Sequence, residues 1–214
     1  MKDQIDLFKY EIDLVNNKGA LIAGCDEAGR GPLAGPVYCA AVILDPAYRI
    51  EGLNDSKKLT SKERDKLYDE ITNHSLAYKV VSIDSETIDR INILEASRLG
   101  MEKALEGLKV KPDIIITDYM DLYHTSTSYI KLAHADALCA SVAAASILAK
   151  VERDRYMVEI SKEYPNYGFD KHKGYGTKEH IDAIKKYGVT PIHRKTFKPV
   201  SNLLDIQLSF DLDE

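Results

Sequence analysis

The sequence predicts an α/β fold in which a mixed five-stranded sheet is flanked by helices and followed by a helical C-terminal part. Apolar runs rich in β-branched residues alternate along the chain with segments of helical periodicity. The early strands have short connections, which favour antiparallel pairing, whereas a helix between the third and fourth strands permits a parallel crossover. A chain of 214 residues is also long enough for one domain with a sizeable core.

Each predicted element in the first half of the chain has an apolar pattern with turn or capping residues at its ends. In chain order, these elements are a helix within 1–20, strands over 21–25 and 37–44, a helix over 61–73, a strand over 76–83 and a helix over 91–108. Asn16–Gly19 ends the first helix, and Asp45 with Pro46 closes the second strand. Thr60 and Glu63 form a capping box that begins the second helix.

The second half of the chain supplies two further strands and then mostly helices. Strands are predicted over 113–118 and 128–132, and helices from 136 towards 165 and over 178–187. The long helix is rich in alanine, so we expect it to pack closely against the sheet. Thr177 caps the last helix and Gly188 ends it. We expect a single domain over 1–200, with its helical part at about 165–200, and an acidic tail over 201–214.

Composition and charge narrow the class of protein. The N-terminus has no signal-peptide pattern, and no apolar run is long enough to span a bilayer. Cys25, Cys39 and Cys139 lie in apolar surroundings, as reduced thiols of cytoplasmic proteins do. The net charge of −5 does not favour nucleic acid by itself, but basic residues concentrate over 171–198 and none follows Lys198. This distribution fits either a local phosphate-binding surface or an ordinary solvated face.

Two adjacent acids, Asp26 and Glu27, come after an apolar strand and directly before a turn-forming segment. Neighbouring strand residues point to opposite faces, so both acids serve one site only if the chain bends or if one binds a metal through its backbone carbonyl. In the turn, Gly29 and Gly31 let backbone N–H groups approach a ligand, and Arg30 offers a cationic fork suited to phosphate. A solvated strand end is the alternative interpretation.

Two further aspartates are placed for the same site. Asp118 ends a strand and Asp136 begins a helix, and binding sites in α/β folds gather at strand ends. Four carboxylates without His or Cys at ligand spacing favour Mg²⁺ or Mn²⁺ over zinc. Two such ions roughly 4 Å apart are the usual arrangement for phosphodiester cleavage. For each aspartate alone, capping of a turn or helix is the alternative.

Several segments together resemble the bacterial ribonuclease HII family. They occur in the family's order between Leu21 and Val200, at 26–37, 53–59, 114–118, 136, 143–151, 153–155, 173–177 and 193–197. Arg30 favours this family over the type III relatives, which have a different residue there. The resemblance implies a ribonuclease H-like fold, cleavage of RNA paired with DNA, and nicking on the 5′ side of a single ribonucleotide inside duplex DNA.

The resemblance also implies a catalytic site that binds two Mg²⁺ or Mn²⁺ ions. Its ligands would be Asp26, Glu27, Asp118 and Asp136. Water would attack in line and the products would carry a 5′-phosphate and a 3′-hydroxyl. Two departures from the family pattern, Ala28 and Tyr119, remove no ligand, although a small residue is more usual at the position of Tyr119.

Further residues are implied in substrate binding. Backbone groups at Gly29, Arg30 and Gly31 would contact the 2′-hydroxyl, and Tyr175 would stack on the deoxyribose that follows the ribonucleotide. Expected phosphate contacts are Lys57, Lys58, Arg194 and Lys195. The expected substrates are therefore RNA–DNA hybrids and duplex DNA that contains ribonucleotides.

Two other functions stay open at this point. A DNA-directed nuclease of the same fold would show no dependence on a 2′-hydroxyl. A non-catalytic hybrid-binding module is disfavoured, because a protein that only binds nucleic acid has no use for several negative charges near the phosphates. The tail residues Gln207, Leu208 and Phe210 resemble the short motif by which bacterial replication proteins hold the sliding clamp, with a frayed tail as the alternative. We expect a cytoplasmic monomer that does not contact membranes.

Overall fold

A computed structural model describes residues 5–17 and 19–204 of the chain. Within these residues, five strands form one sheet: β1 (Ile22–Ala28), β2 (Val37–Leu44), β3 (Ser75–Ile83), β4 (Ile114–Asp118) and β5 (Tyr129–Leu132). Their order across the sheet is β3-β2-β1-β4-β5. The central strand β1 runs antiparallel to β2 and parallel to β4, which is in turn parallel to β5. The predicted mixed sheet is confirmed.

Helices flank the sheet and dominate the C-terminal part of the described chain. They are α1 (Leu7–Val15), α2 (Ser61–His74), α3 (Ser85–Ile91), α4 (Ile93–Glu106), α5 (Ala140–Ile160), α6 (Phe169–His172) and α7 (Lys178–Tyr187). The helix predicted over 91–108 is preceded by a separate helix, α3, that the sequence reading missed. Asp84 caps α3 by accepting from the Thr87 N–H at 2.7 Å, and Asn92, with φ of +66°, separates α3 from α4.

The chain divides into two compact units. The sheet unit contains Met1–Ala28, Tyr38–Val81 and Ser97–Glu152. The C-terminal unit contains Gly29–Val37, Ser82–Ala96 and Arg153–Glu214. Our expectation of one domain over 1–200 stays a prediction.

Small side chains bring α5 close to β1 in the sheet unit. A Cβ placed on Gly24 would lie only 2.2 Å from the carbonyl carbon of Ser141, so only glycine fits at this position of β1. Ala143 and Ala144 of α5 are fully buried in a core that also contains Val42 of β2. The close approach expected from the alanine-rich sequence is therefore present, and it fixes α5 over the central strand.

The C-terminal unit has a core of its own. Leu33, Met157, Phe169, Ile184 and Val200 are buried together in it. The segment 29–37 enters this unit as a loop held by backbone hydrogen bonds. The Leu33 N–H donates to the Gly174 carbonyl and the Arg194 N–H donates to the Leu33 carbonyl, both at 2.8 Å. The loop is therefore part of the fold.

None of the helices in the described ranges combines the length and the apolar character that a membrane span requires.

Candidate active site

The two central parallel strands separate at the point where each carries an aspartate. β1 continues beyond its predicted end, and Asp26 still pairs with Ala40 of the antiparallel neighbour β2. Pairing between β1 and β4 stops one residue earlier, at Cys25 and Thr117. Asp26 and Asp118 therefore follow directly after the last paired residues of two adjacent parallel strands, where α/β sheets commonly form binding sites.

Three of the four predicted metal ligands meet in the sheet unit. Asp26, Asp118 and Asp136 each offer a carboxylate oxygen, and these oxygens lie within 4.8 Å of one another. Among the described residues, no other group of three or more His, Cys, Asp or Glu side chains comes as close. Asp26 and Asp136 are each only 4% exposed. Glu27 is outside the group, because the next residue of an extended strand points to the opposite face.

Hydrogen bonds from two backbone N–H groups and from one side chain of α5 orient the carboxylates of the cluster. The Asp26 Oδ1 accepts from the Glu27 N–H at 2.7 Å, and its carboxylate also bonds the Ser146 side chain of α5. The Asp118 Oδ1 accepts from the Ala135 N–H at 3.0 Å. Ala135 belongs to a single 3-10 turn, Ala135–Ala137, which carries Asp136 into the site. The carboxylates are thus positioned by the protein itself.

The cluster is electrostatically unfavourable as a set of bare anions. Burial raises the pKa of Asp26 well above its ordinary value, and the charges of Glu27 and Asp118 raise it further. Burial also raises the pKa of Asp136, with added repulsion from Asp55 and Asp118. An opposite charge at the centre would remove this cost, because it favours the ionised form of every carboxylate around it.

One lysine faces the cluster from the 3-10 turn Ser56–Lys58. The Lys57 Nζ lies 3.8 Å from the Asp136 Oδ2, while its side chain stays 79% exposed. Partial burial lowers the pKa of Lys57, but attraction to Asp136 and Asp26 outweighs it and raises the pKa overall. Lys58 is also exposed. Both lysines therefore have the exposure that the expected phosphate contacts require.

The donor set matches a hard divalent cation. The cluster offers only carboxylate oxygens, without a nitrogen or sulfur ligand among its three members. Mg²⁺ and Mn²⁺ prefer such oxygens, whereas zinc sites in proteins usually include His or Cys. The buried charge, the short separations and the ligand type all point to metal binding at this place.

Two buried arginines hold the loop 29–37 of the C-terminal unit. Arg153 donates to the carbonyl oxygens of Pro36 at 3.1 Å, Ala34 at 3.2 Å and Lys173 at 3.0 Å. Its side chain also fills the space beside Gly29, where a Cβ would lie 2.0 Å from the Arg153 Nε. Gly29 has a φ of +98°, so glycine is required here for both backbone conformation and space.

Arg194 corrects one expectation from the sequence. Its side chain is fully buried, and its guanidinium donates to the carbonyl oxygens of Gly29 at 2.6 Å, Arg30 at 2.7 Å and Gly35 at 2.8 and 3.0 Å. A phosphate contact needs a guanidinium at the surface, which Arg194 does not offer. Its observed role is to hold the loop. The neighbouring Lys195 is exposed, and its backbone N–H donates to Asp89 at 2.7 Å.

Tyr175 lies beside the glycine loop in the C-terminal unit. A Cβ on Gly31 would be 3.8 Å from the Tyr175 Cε1, and the Arg153 Cζ is 5.9 Å from the centre of the tyrosine ring. The ring is 44% exposed, and Arg30 is exposed as well. The sequence linked Tyr175 to the loop at Arg30 and Gly31 only through the family resemblance. In the structure, the tyrosine ring lies next to this loop.

A buried histidine pair behind Tyr175 was missed. The Tyr175 carbonyl is bonded to the His180 Nδ1 at 2.9 Å, and the His180 Nε2 lies 3.1 Å from the His193 Nε2. The Thr190 N–H donates to the His193 Nδ1 at 2.8 Å. The sequence carries no periodicity or spacing that would indicate this arrangement, because it joins a helix to a loop. The tail residues Gln207, Leu208 and Phe210 lie outside the described residues.

Comparisons with known proteins place this geometry in a family. The family model described as Ribonuclease HII matches residues 23–200. Ribonuclease HII from Acholeplasma laidlawii is 50% identical over 200 residues, covering 94% of this chain and 98% of the relative. The crystal structure of ribonuclease H2 from Pyrococcus horikoshii OT3 matches with a TM-score of 0.75 and 30% identity, covering 86% of this chain and 97% of that one.

A third match is the ribonuclease HII of Archaeoglobus fulgidus, solved in complex with PCNA, with a TM-score of 0.71 and 29% identity. It covers 86% of this chain and 96% of that one. The family match extends over nearly all of the described chain and includes every residue of the carboxylate cluster. The chain therefore belongs to the ribonuclease HII family and is an endoribonuclease of the ribonuclease H class.

Proposed function

We propose that this enzyme hydrolyses RNA strands paired with DNA and nicks duplex DNA on the 5′ side of a single ribonucleotide. The observation that carries the proposal is the cluster of Asp26, Asp118 and Asp136, of which Asp26 and Asp136 are buried and whose oxygens lie within 4.8 Å of one another. A binding module would gain nothing from three clustered acids, two of them buried, where a phosphate must approach. A hydrolase gains a site for cations.

The residues proposed to hold two Mg²⁺ or Mn²⁺ ions are Asp26, Glu27, Asp118 and Asp136. Glu27 is the one member outside the observed cluster, and its backbone carbonyl is an alternative donor to its carboxylate. When bound, the ions would activate a water for in-line attack and stabilise the leaving O3′, which gives 5′-phosphate and 3′-hydroxyl ends. The protein contributes by fixing Asp26 through Ser146 and Asp118 through the Ala135 N–H.

Selection for ribose is proposed to come from the loop Gly29–Arg30–Gly31 and from Tyr175. Only a ribonucleotide offers a 2′-hydroxyl, so a site that discriminates must contact that group. Arg30 and Gly31 of the loop are exposed residues, and Arg194 and Arg153 hold the shape of the loop from within. Tyr175 would stack on the deoxyribose after the ribonucleotide. Lys57, Lys58 and Lys195, all exposed, are the proposed phosphate contacts.

The decisive experiment compares a DNA duplex that contains one ribonucleotide with an otherwise identical all-DNA duplex. Each is incubated with enzyme and Mg²⁺ or Mn²⁺, and then with an added chelator. A metal-dependent nick 5′ of the ribonucleotide, absent from the all-DNA duplex, supports the proposal. Cleavage of both duplexes would instead identify a DNA-directed nuclease of this fold, and binding without cleavage would identify a hybrid-binding module.

We further propose that the enzyme acts as a cytoplasmic monomer and that its tail binds the replication sliding clamp. The tail proposal rests on the motif around Gln207, Leu208 and Phe210, and the Archaeoglobus fulgidus relative is known in complex with PCNA. Replacing Leu208 and Phe210 by alanine should abolish retention on an immobilised bacterial clamp. Undiminished retention would refute the tail assignment, and sedimentation velocity of the free enzyme tests the monomer.

A further inference from the structure

The residue after the metal ligand Asp118 is an unusually exposed aromatic. Tyr119 is 66% exposed, the highest value among the large hydrophobic side chains of the described residues. Its φ of +53° is uncommon for a residue with a bulky side chain. Strain of this kind is maintained only where the surroundings hold it. A solvent-facing ring at such a position is therefore a feature to explain.

The backbone of Tyr119 is held by hydrogen bonds to two adjacent strands. Its N–H lies within hydrogen-bond distance of the Thr117 carbonyl of β4, at 3.0 Å, and of the Leu132 carbonyl of β5, at 3.1 Å. Met120, the next residue, is almost fully buried and donates its N–H to the Thr117 hydroxyl. The ring thus projects into solvent from a rigid base.

One face of the ring is covered by a cation. The Lys131 Nζ of β5 lies 4.5 Å from the centre of the Tyr119 ring, within cation–π range. The same ammonium pairs with the Asp121 carboxylate at 2.6 Å, and the Asp121 carbonyl accepts from the Arg98 Nε at 2.9 Å. Lys131 is therefore anchored, and it orients the ring while its second face stays open to solvent.

We propose that Tyr119, oriented by Lys131, is a subsite that packs its open face against a sugar of the substrate duplex, close to the scissile phosphate. Inside a duplex the bases are stacked on each other, so the sugar–phosphate edge is what an exposed ring reaches. A covalent neighbour of the ligand Asp118 cannot be far from the reacting phosphate, since consecutive Cα atoms are 3.8 Å apart. This inference rests on the proposed function.

The test uses an RNA–DNA hybrid with a fluorescent label, and binding is measured by anisotropy without divalent metal so that no cleavage occurs. Tyr119→Ala should weaken binding about tenfold, which is near the lower end of the loss seen when an aromatic side chain stacked on a base is removed. Tyr119→Phe should stay within about twofold of the original, because the ring is retained. The matched control is Tyr78→Ala, which removes an exposed tyrosine of β3 at the opposite edge of the sheet.

Kinetics give a second, independent readout. Loss of a contact that is made equally with substrate and transition state raises KM and leaves kcat nearly unchanged, so Tyr119→Ala should show that split. Lys131→Met should raise KM less than Tyr119→Ala does, because the ring remains but is no longer held. Tyr119→Asn, a ring-free variant that tolerates positive φ, should match Tyr119→Ala and separates loss of contact from loss of backbone stability.

The outcomes are distinct. Original affinity in both ring-free variants would overturn the subsite, and so would a Tyr119→Phe variant as weak as Tyr119→Ala, since the ring face would not be the contact. Failure of the unaltered enzyme to cut the hybrid with Mg²⁺ or Mn²⁺ would overturn the proposed function instead. A tenfold loss in Tyr119→Ala, with Tyr78→Ala unaffected, supports the subsite.

Discussion

The Arg194 guanidinium donates to the Gly29 carbonyl at 2.6 Å, across 165 positions of sequence. It makes three further hydrogen bonds to the carbonyls of Arg30 and Gly35 from a fully buried position. A planar fork with five N–H donors suits several carbonyl acceptors at once, which a lysine ammonium does not. The shape of the proposed ribose-reading loop therefore depends on a side chain from the far end of the chain.

Replacing that guanidinium should destabilise the protein and loosen its selectivity. We expect Arg194→Lys to lower the free energy of unfolding by about 3 kcal/mol, because buried carbonyls lose charge-assisted partners. Cleavage at a single ribonucleotide should fall as well. Lys195→Met, at the exposed neighbour, should leave the unfolding free energy within about 0.5 kcal/mol. Urea denaturation checks both values, and a stable Arg194→Lys enzyme with weaker substrate binding would restore the phosphate-contact assignment.

The His180–His193 pair predicts an acid-sensitive stability. Burial lowers the pKa of His180 and of His193 to about 4, and charge repulsion from a neighbouring histidine lowers each pKa further, from His172 on His180 and from His180 on His193. The unfolded chain binds these protons near pH 6.5, so its proton uptake exceeds that of the folded protein between about pH 6.5 and 4. Stability from the pair is complete above pH 6.5 and is lost as the pH falls through this window, by about 3 kcal/mol for one histidine.

The measurement is the difference in unfolding free energy between the original protein and His193→Gln at steps from pH 8 to pH 4. A difference is needed because burial raises the pKa of Glu11 to about 7, which changes stability in the opposite direction over part of this range. The difference should shrink as the pH falls. The exposed His124, changed to Gln, serves as the matched control. A difference that stays constant with pH would contradict the prediction.

Loss of one cluster carboxylate should separate catalysis from substrate binding. We expect Asp118→Asn to reduce cleavage of a hybrid about 1,000-fold or more, because the site loses a charged ligand oxygen. Binding without metal should be preserved or slightly stronger, since one repulsive charge is removed. The control is Asp113→Asn, at the other end of β4, whose carboxylate accepts only from the Leu21 N–H among the described contacts. Full activity in Asp118→Asn would refute the metal-site assignment.

Metal addition should stabilise the original protein and not its cluster variant. Cations that bind only the folded state raise Tm with concentration. A thermal shift with Mg²⁺ or Mn²⁺ is therefore expected for the unaltered enzyme, reversed by chelator, and should be much reduced in Asp26→Asn. Equal shifts in both proteins would place the bound metal elsewhere.

Substitution at the contact between β1 and α5 should be severe. Gly24→Ala would put a methyl group 2.2 Å from the Ser141 backbone, so α5 must move. Overpacking of this kind costs about 2 kcal/mol or more, and it also displaces Ser146 from Asp26. Gly19→Ala, whose added carbon would meet nothing closer than 3.9 Å, is the matched control. In Gly24→Ala, both the free energy of unfolding measured in urea and the rate of hybrid cleavage should fall. In Gly19→Ala, neither should change.

Much of the fold followed from local patterns. The strand predicted over 37–44 is present with those bounds as β2, and the capping box of Thr60 and Glu63 begins α2 as expected. These features depend on neighbouring residues, which the sequence displays directly. Helix α3 over Ser85–Ile91 was missed, because the predicted helix began only at Ile91, and α3 is a separate short helix that ends at Asn92, whose φ is +66°.

The carboxylate cluster was predictable for a similar reason, because the sequence shows directly which acids follow the end of a strand. The burial of Arg194 was not. It stands next to the exposed Lys195, and nothing in the local sequence distinguishes them. Arg194 is buried because its guanidinium binds the carbonyl oxygens of Gly29, Arg30 and Gly35. These acceptors come together only in the folded loop, so the local sequence does not show them.

The long-range bonds of Arg194 have a consequence for synthesis of the protein. Translation delivers the carboxylate strands β1 and β4 well before residue 194 leaves the ribosome, and N-terminal parts of a chain generally fold first. A nascent or prematurely terminated chain would hold its acids without the side chain that shapes the ribose-reading loop. Ribosome stalling or a stop codon ahead of position 194 should therefore yield a product without the selectivity for ribose that the loop is proposed to give the complete chain.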